Sequence, residues 1–129
     1  MKEVDKIPVE IEYILTASPQ MIYNYVATPG GLSKWFADNV ILRGDQYVFI
    51  WEGAEESAKL ISKTKNKQVK FQWDYCEGTS LYFKFDISKD GMTHKTVLKV
   101  CDVSDPGEED ETIDLWNCQI DELRQCIGC

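Results

Sequence analysis

The sequence predicts an α+β domain in which one antiparallel sheet is followed by a long C-terminal helix. Three observations carry that expectation. From Asn39 to Val103, apolar residues alternate with polar ones in one run after another, and the runs are joined by short turns. In the last segment, Ile113, Trp116, Ile120, Leu123 and Ile127 recur at spacings of 3, 4, 3 and 4, the period of an amphipathic helix. A chain of 129 residues that is 43% hydrophobic and 28% charged has enough apolar surface for a core, which excludes a disordered chain.

The elements follow in order. Ile7, Val9, Ile11, Tyr13 and Leu15 alternate with Pro8, Glu10 and Glu12, giving a first strand with one buried face. Ser18-Pro19 opens a helix, because Ser18 can cap it and Pro19 at the first helical position loses no needed N–H. Its apolar stripe is Met21, Ile22, Tyr25 and Val26, and Thr28-Pro29 ends it. Gly30-Gly31 leads into a second helical turn from Leu32 to Phe36. Six strands are then expected: Val40–Leu42, Tyr47–Trp51, Ser57–Thr64, Val69–Tyr75, Leu81–Ile87 and about His94–Val103. Such a succession with short connections is an antiparallel meander. Val69, Phe71, Trp73 and Tyr75 are expected on one face, and Lys89-Asp90-Gly91 is the clearest hairpin signal. Asp105-Pro106-Gly107 breaks the sheet. Glu108 to Glu111 then place negative charge where a helix dipole favours it, and Gly128 is a fitting stop.

A strand, two short helices, six strands and a long helix is the β-α-α-β6-α order of the helix-grip fold, and the chain resembles the START-like (SRPBCC) superfamily. Within it the chain looks most like the branch named for the activator of the heat-shock-protein ATPase. The resemblance is carried by Ser18-Pro19, by Thr28-Pro29-Gly30-Gly31-Leu32-Ser33-Lys34-Trp35-Phe36, by Phe71-Gln72-Trp73 and by Leu115-Trp116. It implies one START-like domain over residues 1–129, with a strongly curved sheet gripping the final helix and often an apolar cavity between them. Members carry lipids, bind hormones or polyketides, cyclise polyketides or assist chaperones, so fold alone does not select a function.

The aromatic residues point to binding. Trp35, Phe36, Phe49, Trp51, Phe71, Trp73, Tyr75, Phe83, Phe85 and Trp116 crowd toward one interior if the strand phases hold. They either fill the core or line a pocket for a greasy ligand, with indole N–H and phenol O–H as orienting groups. The expected wall is Trp35, Phe71, Trp73, Phe83 and Trp116, with the C-terminal helix as lid or floor. The expected function is non-catalytic binding of a small apolar or amphipathic molecule, without a cofactor or metal. The alternative is a protein-interaction or co-chaperone-like module with a filled core. A third reading, a cyclase-type enzyme, needs convergent polar groups. Glu52, Asp74 and Tyr82 supply such groups only if their strands slip by one residue.

Other chemistries are disfavoured. Twenty-two acidic against fourteen basic residues give a net charge of −8, which repels a phosphate backbone. The lysines at 59, 63, 65, 67 and 70 read as a solvated hairpin tip, and the acidic run Asp105–Glu111 as a solvated loop and helix start. His94, the one histidine, follows a turn and has no evident partner for acid–base work. Cys126-Ile127-Gly128-Cys129 has C-x-x-C spacing, but at a helix C-terminus the dipole opposes a thiolate. With Cys76, Cys101 and Cys118 these make an odd set of five, read as free thiols in a reducing compartment. No signal peptide or membrane-spanning segment is apparent, and a cytoplasmic location is expected.

Overall fold

A computed structural model describes residues 6–128. Seven strands form one antiparallel sheet in the order β1-β7-β6-β5-β4-β3-β2, and the last helix lies against its concave face. The strands are β1 (Ile7–Leu15), β2 (Asn39–Arg43), β3 (Gln46–Trp51), β4 (Ala54–Thr64), β5 (Gln68–Trp73), β6 (Phe83–Lys89) and β7 (Thr96–Ser104). The helices are α1 (Pro19–Ala27), α2 (Pro29–Leu32) and α3 (Glu109–Ile127). This is the α+β helix-grip architecture that the sequence predicts.

Each hydrophobic alternation becomes an inward face. Val69, Phe71 and Trp73 of β5 and Phe83, Phe85 and Ile87 of β6 are all buried. So are Tyr47 and Phe49 of β3 and Leu98 and Val100 of β7. Trp116, Ile120 and Leu123 of α3 close the core from the other side, as their helical spacing requires. Gly128 stops α3 in a left-handed conformation, its N–H donating to the Arg124 carbonyl.

Five local details differ from the sequence expectation. The second helical turn is Pro29–Leu32, one turn earlier than Leu32–Phe36, because Thr28 caps it: its Oγ1 accepts from the Gly31 N–H at 2.9 Å. Residues 33–36 form turns that swing Trp35 and Phe36 inward. β4 begins at Ala54 rather than Ser57, because Glu52 and Gly53 both take positive φ (49° and 83°) and close a two-residue hairpin. Tyr75 does not continue the inward face of β5, since the chain turns into a 3-10 helix at Asp74–Cys76 and leaves Tyr75 exposed. The strand expected at Leu81–Ile87 begins at Phe83. The turn at Asp90-Gly91 spans residues 90–95, with the Asp90 N–H donating to the Lys95 carbonyl, so β7 starts at Thr96.

Gly31 is where α1 and α2 meet. A Cβ there would lie 2.1 Å from the Asn24 carbonyl oxygen and 2.7 Å from Tyr25 Cα. The side chain of glycine is the only one that permits this approach.

Candidate functional site

The interior under the sheet is filled with rings. Phe49, Phe71, Phe83 and Phe85 are fully buried. Phe71 stacks on Phe83 at 4.8 Å between centroids, and Phe83 on Trp73 at 4.4 Å. Phe36 meets Phe49 edge-on at 5.3 Å and stacks on Trp116 at 5.4 Å. These offset and edge geometries are the favourable ones for aromatic pairs.

The aromatic cluster opens to solvent along one side of α3. There a trough of about 370 Å³ is lined by Phe36, Trp51, Trp73 and Trp116, with Leu115 at its rim and Thr112 and Gln119 along its helical side. Trp51 and Trp73 reach it as the last inward residues of β3 and β5. Phe36 reaches it from the turn after α2. A second space of about 470 Å³ adjoins it, shares Phe36, Trp51 and Gln119, and continues past Lys34, Asp38 and Glu122.

Asp102 lies at the base of the trough. It sits on β7 in phase with Leu98 and Val100, so its carboxylate points to the concave side. The Trp73 Nε1–H donates to Oδ1 at 3.3 Å, and the Trp116 Nε1–H donates to Oδ2 at 2.8 Å. Burial pushes the Asp102 carboxyl above the usual aspartate range, because the charged form loses its water. The two indole donors, the Val103 N–H and the Lys6 ammonium pull the other way without overcoming burial. Lys6 is itself paired with Asp105 at 2.8 Å.

All four indole N–H groups are engaged inside the protein. Trp35 donates to the Tyr25 carbonyl at 2.8 Å and Trp51 to the Phe36 carbonyl at 2.7 Å, while Trp73 and Trp116 hold Asp102. The sequence reading offered these N–H groups as ligand-orienting donors. The structure corrects that point: these N–H groups are already bonded within the protein. The orienting group present is Asp102, the one titratable side chain among the described residues lining the trough.

Of the five residues expected to form a wall, Trp73 and Trp116 line the trough. Trp35 is buried beside Phe36 and borders the second space. Phe71 and Phe83 lie behind Trp73 in the filled interior. Glu52 is in the β3–β4 turn, where its N–H donates to Asp38 Oδ2. Asp74 is exposed and accepts from Gln46 Nε2, and Tyr82 lies under the Lys70 ammonium at 4.1 Å. None of these three turns inward. Asp102 was missed, although a carboxylate in phase with Leu98 and Val100 is a signal that the sequence carries.

The remaining reactive side chains lie apart from the trough. His94 sits at φ 60° in the β6–β7 turn and is exposed. Cys126 is exposed, its thiol donating to the Lys34 carbonyl at 3.3 Å; Cys129 lies outside the described residues. Among the described residues no group of three or more His, Cys, Asp or Glu side chains could hold a metal ion. No described helix is long and apolar enough to cross a membrane.

Comparison with known proteins places this geometry. A family model for the START-like superfamily domain matches residues 3–129. The solution structure of BfR322 from Bacteroides fragilis matches with a TM-score of 0.65 and 28% identity, over 96% of this chain and 93% of that one. The Aha1 dimer from Colwellia psychrerythraea matches with a TM-score of 0.75 and 18% identity, over 91% and 92%. DynU16, a protein of the dynemicin biosynthetic locus, matches with a TM-score of 0.72 and 15% identity, over 98% of this chain and 48% of its own. No curated protein matches.

Proposed function

The chain belongs to the START-like superfamily, and on that premise we propose that it binds a small amphipathic molecule in the trough between the sheet and α3, without transforming it. The observation that carries this reading is the trough itself. Four aromatic side chains surround a single carboxylate in a space of about 370 Å³, within the usual range of ligand sites. The apolar part of the ligand lies on Trp51 and against Leu115, bordered by Trp73 and Trp116. Its burial supplies roughly 25 cal/mol per Å² before association costs. Phe71 and Phe83 back Trp73 and hold its ring in place.

Binding without catalysis fits the chemistry of the lining. Acid–base work on a bound molecule generally needs an acid and a base, and Asp102 has no second titratable group beside it in the lining. A cyclase-type activity, suggested by the likeness to a biosynthetic-locus protein, would need more than this wall supplies. The competing reading is a protein-interaction module resembling the co-chaperone branch, with the trough receiving a partner's side chain. The filled ring cluster and the likeness to an Aha1 protein favour that reading. The described cysteines are all free thiols, which suits a reducing, cytoplasmic setting.

Native mass spectrometry of protein purified gently from its own cells tests the proposal. A discrete added mass that is lost on denaturation is the expected result and weighs the ligand. A bare chain that instead co-isolates with a second protein overturns it in favour of the interaction module.

A further inference from the structure

Taking the trough to be a small-molecule site, we propose that the head of its ligand is a cation, a protonated or quaternary amine carried on an apolar tail. The inference rests on the reading above and adds the sign of the charge. It follows from what the trough presents and what it lacks.

The trough presents aromatic faces. With its N–H bonded to the Phe36 carbonyl, half-buried Trp51 turns ring surface to the trough, while Trp73 and Trp116, 6% and 2% exposed, border it with little open surface and point their N–H groups at Asp102. Such faces attract an ammonium or quaternary amine and disfavour an anion. Trp51 and Trp73 meet at 6.4 Å and an angle of 50°, so their faces converge rather than stack. Asp102 lies beside Trp73 and Trp116; its oxygens accept their two indole hydrogens and the Val103 N–H, which leaves a lone pair for a further partner.

The trough lacks a cation of its own. Among the described residues its lining has no lysine, arginine or histidine. Among the described residues no basic side chain forms a salt bridge with Asp102; Lys6, which acts on it from a distance, is bound to Asp105. The adjoining space sets Asp38 and Glu122 against Lys34 alone. An anionic head would be brought against like charge, and a neutral head would bring the carboxylate no counter-charge. A cationic head meets both features.

The test uses the full chain and three amphiphiles with ten-carbon tails, each below its micelle concentration: decyltrimethylammonium, decanoate and decyl maltoside. Salt at about 0.15 M screens the net charge of the surface. Binding is read by tryptophan fluorescence and by the indole N–H resonances. The expected result is that decyltrimethylammonium binds about tenfold tighter than the other two and shifts the N–H signals of Trp73 and Trp116. Thr112→Lys, a change on the partly exposed helical side of the trough, is expected to abolish that preference while the fold is kept; Asp102→Asn is expected to do the same. Equal binding of all three, or tighter binding of decanoate, overturns the cationic head and leaves the binding site standing. Cation binding that leaves Trp73 and Trp116 unshifted also overturns it. Failure of all three to bind overturns the site together with the head.

Discussion

Asp102 joins Trp73 and Trp116 through separate carboxylate oxygens, so one side chain of β7 fixes both the last residue of β5 and the first buried residue of α3. An amide cannot replace it. Asparagine would offer one acceptor and turn a donor toward the second indole N–H. Asp102→Asn is therefore expected to cost about 1–3 kcal/mol, the penalty of an unsatisfied buried donor. Urea denaturation at the acid end of the stable range, followed by tryptophan fluorescence, measures it.

That cost should shrink as the pH rises. Burial raises the folded-state pKa of Asp102 above its unfolded value, near 3.9. The folded chain therefore holds the proton more tightly than the unfolded chain. This contribution to stability is complete below the unfolded value and is lost as the pH climbs through the raised one. Lys6, Tyr75 and Cys76 are the titratable neighbours that share its field. Stability curves of wild type and Asp102→Asn should converge with rising pH; parallel curves would remove Asp102 from the account.

The two glycines of α2 should respond in opposite ways to the same substitution. Gly31→Ala drives a methyl group into the backbone of α1 and is expected to cost about 2 kcal/mol or more. At Gly30 a methyl group meets nothing within 4 Å, and Gly30→Ala is expected to stabilise by about 0.5–1 kcal/mol. Thermal denaturation of the pair, side by side, decides whether the α1–α2 contact is as close as described.

Stability and binding should also separate along the aromatic wall. Phe83→Ala removes a fully buried ring stacked on Phe71 and Trp73 and is expected to cost about 3–5 kcal/mol. Leu115 is 60% exposed, and Leu115→Ser should change stability by no more than about 0.5 kcal/mol. Its loss from the rim is nonetheless expected to weaken amphiphile binding by roughly a few-fold. Equal effects of the two changes on stability would contradict the placement of Leu115.

Strand phase was legible wherever apolar residues alternate without interruption. Val69, Phe71 and Trp73 show this, and so do Phe83, Phe85 and Ile87. Tyr75 marks the limit: the alternation continues in sequence, but a 3-10 turn ends the strand at Trp73. Which rings border solvent was not legible, because Phe71 and Trp73 carry the same pattern. Only the position of α3, packed nearer β1 than β3, leaves one of them beside an open space. Asp102 was hidden for a different reason. A polar residue near a strand end reads as the edge of the element until its partners across the sheet and on the helix are known.

The place of β1 in the sheet bears on how this chain is made. β1 is an edge strand whose partner is β7, with Leu15 opposite Thr96 and Ile7 opposite Ser104. Ile7–Leu15 thus emerges from the ribosome before the other six strands of the sheet and waits, without its β7 partner, until they have been synthesised. At typical elongation rates that wait lasts several seconds or more, long compared with the microseconds in which hairpins such as β2–β3 form. The nascent chain assembles as a growing meander whose first and last strands meet at the end, and the exposed alternation of Val9, Ile11 and Tyr13 is the segment that needs shelter during synthesis.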